Sequence, residues 1–158
     1  MNDTTDHDRY KWRDDFLLGY DPLDDNHREF VDCVAGVLQA PDDGVGEAFD
    51  RLRDHLANHF AIEDQWMNET AFPPKQCHMD EHAAVLRSAA EVEQMLRNEG
   101  NTQNCRRFAE ALMKWFPGHA DLLDSALAHW MCKRAHGGKP VVLRRKISPM
   151  PTPDGWSD

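Results

Sequence analysis

The sequence has 158 residues, of which 41% are hydrophobic, a size and composition typical of one globular domain rather than a disordered chain. The formal net charge of −10 disfavours nucleic-acid binding, since phosphates would be repelled. No run of 18 apolar residues occurs, and residues 1–8 lack the charged-then-apolar pattern of a secretion signal. We therefore expect a cytoplasmic protein that neither crosses nor binds a membrane.

Four segments repeat apolar or histidine positions at steps of three and four, the spacing of one face of an α-helix. They cover approximately residues 25–38, 45–69, 75–98 and 102–134. Proline and glycine lie in the short connections, with Gly100 at the expected end of the third helix. Because strand patterns are nearly absent, the sequence predicts an all-α fold, an antiparallel up-down-up-down four-helix bundle.

The fourth segment carries one inward stripe of apolar residues and a histidine. Its members are Phe108, Leu112, Trp115, His119, Leu122 and Ala126. Pro117 lies within this stripe and has no amide hydrogen to donate, so the helix is expected to kink or restart there.

Two regions lie outside the bundle, which is assigned to residues 25–136. Residues 1–24 form an irregular arm, apolar enough to pack along the helices, and residues 137–158 form a basic, proline-rich tail. The basic positions near and within the tail, with no acidic residue among them, are Lys133, Arg134, Lys139, Arg144, Arg145 and Lys146. This stretch either lies against the protein's own acidic surface or binds an acidic protein partner.

Histidine replaces apolar residues on the inward face of every predicted helix. The inward polar positions are His27, His59, Glu63, His78, His82 and His119. One such histidine is usually a hydrogen-bonded core residue, but five with a glutamate would leave many buried polar atoms unsatisfied. Metal binding resolves this conflict, because imidazole and carboxylate are both metal ligands. The ligands exceed what one four-coordinate zinc accepts, so the sequence predicts two metals that share carboxylates.

The order and spacing of these residues resemble the hemerythrin signature. That signature is one histidine, then H-x-x-x-E, H-x-x-x-H and H-x-x-x-x-D. Here it reads His27, H-F-A-I-E at 59–63, H-M-D-E-H at 78–82 and H-A-D-L-L-D at 119–124. The resemblance covers about residues 12–130. It alone selects Asp124 over Asp121, because a five-residue step turns about 140° around an α-helix.

The resemblance implies two non-haem iron ions joined by an oxo or hydroxo bridge. His78, His82 and His119 would bind one iron, and His27 and His59 would bind the other. Glu63 and Asp124 would bridge the two. The iron with two histidines would keep an open position, at which dioxygen would bind reversibly.

The residues expected around that position depart from the usual family pattern. The family's W-L-x-x-H reads W-F-P-G-H at residues 115–119, and Ala120 follows where isoleucine is common. Trp115, Phe116 and Ala120 would therefore line an oxygen pocket of altered shape. His55, one helical turn before His59, is either an outer partner of the site or a surface residue.

Oxygen carriage, buffering or storage is the function that the resemblance favours. Five neutral imidazoles place less negative charge on the metals than the carboxylate-rich sites of ferritin-like oxidases, which favours reversible binding over oxygenation. Two alternatives stay open. One is a diiron enzyme acting on peroxide, nitric oxide or a small substrate, and the other is an oxygen or redox sensor acting on a partner in trans.

Overall fold

The computed structural model describes residues 10–137, apart from the side chain of His136. A short 3-10 helix, Asp14–Phe16, precedes the long helices. These are α1 (Asp21–Gln39), α2 (Val45–Glu69), α3 (Lys75–Glu99), α4 (Gln103–His119) and α5 (Ser125–His136). A π-helical turn, Ala120–Asp124, joins α4 to α5, so the two form one continuous fourth bundle helix.

The helices pack as the antiparallel up-down-up-down bundle that the sequence predicts. Helix α1 contacts α2 and α4, α2 contacts α3, and α3 contacts α4. No strand occurs within residues 10–137, which confirms the all-α fold class. In the same range, no helix combines the length and apolarity needed to cross a bilayer.

The core consists of two apolar clusters separated by polar side chains. The larger cluster contains Leu52, Leu56 and Phe116, and the smaller one contains Met67 and Leu127. Each large apolar side chain that is fully buried contributes about 1.5–3 kcal/mol to folding. Along α2, and along the fourth bundle helix, a buried polar stretch lies between the two clusters, so apolar packing on both sides positions the polar residues.

Helix α1 begins four residues before its predicted start, so the last part of the predicted arm is helical. Pro22 fits the first turn, where no amide hydrogen is needed. The buried carboxylate of Asp24 accepts hydrogen bonds from the backbone N–H groups of Leu18 (2.8 Å) and Gly19 (3.0 Å). Asp24 thus ties the preceding chain to the helix, a contact that helical periodicity does not reveal.

The fourth bundle helix departs from the prediction at its centre. Pro117 lies within α4, and the irregular geometry follows it, where the N–H of Ser125 donates to the carbonyl of Ala120. The predicted inward stripe is wrong beyond this point, since Leu122 is 77% exposed and Ala126 is also exposed. The π turn adds one residue to the helical repeat, so Leu127 and its neighbours face the core instead.

Gly100 ends α3 as predicted. It adopts a left-handed conformation (φ 64°), and its N–H donates to the carbonyl of Leu96. The basic tail was expected either to lie against the protein's own acidic surface or to bind an acidic partner, and from residue 138 onwards it lies outside the described residues.

Candidate metal centre

The seven predicted ligands come together in the interior of the bundle. Helix α1 supplies His27, α2 supplies His59 and Glu63, α3 supplies His78 and His82, α4 supplies His119, and the π turn supplies Asp124. None is more than 5% exposed. By contrast Asp121, one turn before Asp124, faces solvent.

The seven side chains form two groups that share a carboxylate. The first contains Glu63, His78, His82, His119 and Asp124, and the second contains His27, His59 and Glu63. Within each group, one ligand atom per residue lies within 4.8 Å of all the others. Five elements of the fold, helices α1 to α4 and the π turn, therefore direct their donor atoms at two neighbouring points.

Glu63 lies between the two groups and presents one oxygen to each. Its Oε2 is 3.2 Å from Nε2 of His78 and 3.3 Å from Nε2 of His82. Its Oε1 contacts Nε2 of His59 and lies 4.0 Å from Nε2 of His27.

Asp124 divides its oxygens in the same way. Its Oδ1 is 2.8 Å from Nε2 of His78 and 3.1 Å from Nε2 of His119. Its Oδ2 is 2.9 Å from Nε2 of His27. Both carboxylates are thus arranged to bridge two ions.

The polar atoms of this cluster fit a bound metal better than they fit one another. Within residues 10–137, ten buried side-chain nitrogen or oxygen atoms lack a hydrogen-bond partner, and nine of them belong to the cluster. Leaving such groups unsatisfied is costly, and leaving two carboxylates uncompensated is more so. Donors bound to one ion at about 2.1 Å and at right angles lie about 3 Å apart, close to the separations here. The donor set therefore fits metal ions.

Residues 18–130, which include all seven positions, match the family described as "Hemerythrin HHE cation binding domain". The chain belongs to the hemerythrin family. It is 32% identical over 124 residues to a bacteriohemerythrin of Ralstonia nicotianae, covering 78% of this chain and 90% of that protein. It is 27% identical over 121 residues to a bacteriohemerythrin of Stenotrophomonas maltophilia, covering 74% and 78% of the two chains.

Charge interactions keep the two carboxylates of the hemerythrin cluster ionised. Burial would raise the pKa of Asp124, but the imidazoles of His119, His27 and His78, each with Nε2 within 3.1 Å of a carboxylate oxygen, hold it well below the usual range. Burial and the nearby Asp124 would likewise raise the pKa of Glu63, but His59 and His78 keep that pKa low.

The same contacts act in the opposite direction on the histidines. Burial alone would lower the pKa of His78, but Asp124 and Glu63 raise it to about 9. Burial would also lower the pKa of His119, which Asp124 and Glu81 raise. Without metal, the cluster therefore compensates its carboxylates with protons that a metal would displace.

In the larger group, two histidines have a carboxylate as the partner of Nδ1, the ring nitrogen that faces away from the cluster. Nδ1 of His82 lies 2.8 Å from Oδ1 of Asp64, and Nδ1 of His119 lies 2.6 Å from Oε2 of Glu81. Such partners direct Nε2 toward a metal and make the imidazole a stronger donor. Sequence reasoning missed Asp64 and Glu81, although each directly adjoins a predicted ligand in the chain.

His55 stands behind His59 in the smaller group. Its Nε2 lies 3.2 Å from Nδ1 of His59, so the outer-partner interpretation of His55 agrees with the structure. Burial, with the adjacent His59, lowers the pKa of His55 to about 4, and the ring is therefore neutral at pH 7.

The residues predicted for the oxygen pocket lie on two sides of the hemerythrin site. The ring of Phe116 packs edge-on against His27, with centroids 4.9 Å apart, on the side of the smaller group. Ala120 is buried in the same apolar cluster. Trp115 instead stacks on His119 of the larger group, with ring centroids 4.2 Å apart and an interplanar angle of 27°.

Proposed function

We propose that this protein binds two iron ions at the buried cluster and binds dioxygen reversibly, as a carrier, buffer or store. One observation carries the proposal. Each of two buried carboxylates directs one oxygen at a three-histidine group and the other at a two-histidine group. Membership of the hemerythrin family supports iron as the metal.

The two groups offer different numbers of donors. His78, His82 and His119, with one oxygen from each carboxylate, give five donors to the first ion. His27 and His59, with the other two oxygens, give four to the second. The second ion would therefore keep more open coordination positions. When bound, the iron pair supplies two electrons and a position at which dioxygen can bind.

The protein's own contribution is a neutral, apolar environment. Five imidazoles and two carboxylates give less negative charge than a carboxylate-rich diiron site, so they stabilise highly oxidised iron less. Phe116 closes the smaller group from the side of His27 and is itself only 2% exposed.

The packing around Phe116 favours a diatomic ligand over a larger substrate. Phe16 lies edge-on against it, at a centroid distance of 5.1 Å, and Phe30 lies 4.9 Å away. Such close packing of aromatic rings would keep water and protons away from the second ion. Water and protons would convert the oxygenated protein into inert diferric protein, so their exclusion supports reversible binding over catalysis.

Optical spectroscopy on iron-loaded protein tests the proposal. The protein is loaded with Fe²⁺ without oxygen, its iron content is measured, and its spectrum is followed in air and then under inert gas. We expect about two irons per chain. We also expect a colourless reduced form that becomes coloured in air and fades when oxygen is removed. Colour that fades only after a chemical reductant is added would reject reversible carriage and favour an enzyme.

A further inference from the structure

The two halves of the site differ in the groups that contact the Nδ1 atoms of their histidines. In the three-histidine group, Nδ1 of His82 and Nδ1 of His119 each face a carboxylate, from Asp64 and Glu81 respectively. In the two-histidine group, Nδ1 of His59 faces the imidazole of His55 at 3.2 Å. The family signature does not specify a residue at position 55.

Metal binding by His59 dictates how hydrogen is arranged between these two rings. If Nε2 of His59 binds a metal, its Nδ1 carries the hydrogen and must donate it. Nε2 of His55 must then accept, so the hydrogen of His55 lies on its own Nδ1. That nitrogen lies 3.6 Å from Oε2 of Glu29, and His55 also hydrogen-bonds to the backbone of Asn26. The acceptor for His59 is therefore a neutral ring, and the backbone of Asn26 is the hydrogen-bond partner left for the hydrogen of that ring.

A neutral acceptor has a different effect from a carboxylate. Both fix the orientation and tautomer of the ligand, but a carboxylate draws more strongly on the shared hydrogen and makes the imidazole a better electron donor. The three-histidine ion would thus have two strengthened ligands. The ion bound by His59 would have a correctly oriented but weaker one.

We propose that His55 is a positioning residue, one that orients His59 and, as a neutral acceptor, leaves the ion of the two-histidine group the more easily released. This inference rests on the two-ion site of the proposed function. The two ions would share both carboxylates, and the inference gives a structural reason why one of them would be released more easily than the other.

Release of iron to a chelator tests the role of His55. Fe²⁺-loaded protein is mixed with excess iron(II) chelator without oxygen, and release is followed in time. Wild type should release its iron in two phases, one ion in each. In His55→Phe, the hydrogen of His59 loses its acceptor, so the fast phase should accelerate about 10–100-fold. The slow phase should stay unchanged within about twofold.

Three further variants distinguish a specific orientation of His59 by His55 from a general loosening of the metal site. His55→Gln retains an acceptor oxygen and should restore release close to wild type. His55→Glu supplies a carboxylate and should slow the fast phase below the wild-type rate. His129→Phe changes an exposed histidine away from the ligand set and should leave both phases unaltered.

Thermal unfolding of the metal-free variants completes the test. A positioning role leaves the melting temperature of metal-free His55→Gln and His55→Phe near that of wild type. The inference is wrong if wild type releases both ions in one phase, if His55→Phe accelerates both phases equally, or if His55→Gln behaves like His55→Phe. Wild type that never holds two irons would instead reject the proposed function on which the inference depends.

Discussion

His119 and Asp124 are five residues apart, yet Nε2 of the histidine lies 3.1 Å from Oδ1 of the aspartate. In a regular α-helix, such residues would point about 140° apart. The π turn between them, closed by the hydrogen bond from Ser125 to Ala120, brings both side chains to one face. Single π turns are frequent at functional sites. Asp124 does not belong to the stripe that regular helical periodicity would place on this face. The π turn brings its carboxylate to that face, where it can reach both groups of histidines.

Replacement of single aspartates by asparagine tests which of the two aspartates binds the metals. Asp124→Asn retains the shape of the side chain but removes the charge and one acceptor oxygen. We expect occupancy to fall from two irons to about one or fewer per chain after gel filtration. Asp121→Asn lies in the same turn but is exposed, so it should retain both irons. Two irons in the Asp124→Asn protein would rule out a bridging role.

Periodicity predicted most of the fold because its rule holds wherever the helices are regular. The predicted second helix coincides with α2, Val45–Glu69, and Leu52 and Leu56 on its inward face are fully buried. The start of α1 was missed because Asp24 stabilises it from inside the helix, through backbone groups rather than through a pattern of side chains. Leu122 was misplaced because a constant turn of 100° per residue cannot represent a π turn.

The site residues, like the helices, were predictable from the sequence wherever the helix is regular. Six of its residues lie on regular helical stripes, whereas Asp124 could be chosen only through the family resemblance. Asp64 and Glu81 escaped notice because charged residues beside a ligand look like ordinary surface positions in sequence. Their role depends on which face of the neighbouring helix they meet, and that is a property of tertiary packing.

Truncation of Phe116 should damage the oxygen pocket without emptying the site. Phe116→Ala opens a cavity beside His27 and admits water, so autoxidation should be at least about 10-fold faster while iron content stays near two per chain. The cavity should also cost about 3–5 kcal/mol of folding stability. The rate of loss of the oxygenated spectrum, with metal analysis, provides the measurement.

Phe49→Ala is the matched control for this loss of stability. Phe49 is fully buried in the same cluster and packs against Phe108, away from the histidines. It should lose comparable stability but autoxidise at the wild-type rate. Equal acceleration in both variants would mean that core loosening, and not the pocket, controls the reaction.

Iron binding should release protons at neutral pH. In the metal-free protein, the carboxylates raise the pKa of His78 to about 9, so this ring is doubly protonated at pH 7, and they also raise the pKa of His119, which increases its protonated fraction. A metal requires them unprotonated, so uptake should release about one to two protons per chain. Titration with Fe²⁺ in weak, oxygen-free buffer measures this. A pH that does not change during stoichiometric uptake would contradict the prediction.

Iron should correspondingly be lost in acid. Release should become steep below about pH 5–6, where free histidine takes up protons. Metal analysis after dialysis across this range, followed by return to pH 7 with fresh Fe²⁺, separates release from irreversible unfolding. Full iron content after prolonged dialysis at about pH 4 would contradict a site built from five histidines.

The stability of the metal-free protein should fall as pH rises from 6 to 8. His78 has a folded-state pKa raised to about 9, so its contribution is complete below its unfolded value of about 6.5 and is lost as pH rises through 9. Between pH 6 and 8 this removes up to about 2 kcal/mol. His55 opposes only part of this loss: its pKa is lowered to about 4 in the folded protein, and the unfolded ring is still partly charged at pH 6, so it returns less than about 1 kcal/mol over the same range. Glu63 and Asp124 have lowered pKa values, so their contribution is lost only in acid and does not oppose the change in this window.

Iron should reverse this trend, because bound metal takes the place of the protons and is held more tightly as pH rises. Thermal unfolding at pH 6 and pH 8, with and without iron, measures both slopes. In metal-free His78→Gln, most of the pH dependence should disappear, whereas exposed His129→Gln should behave as wild type does. If the metal-free wild type were as stable at pH 8 as at pH 6, protons would not be compensating the buried carboxylates. Another source of that compensation would then be needed.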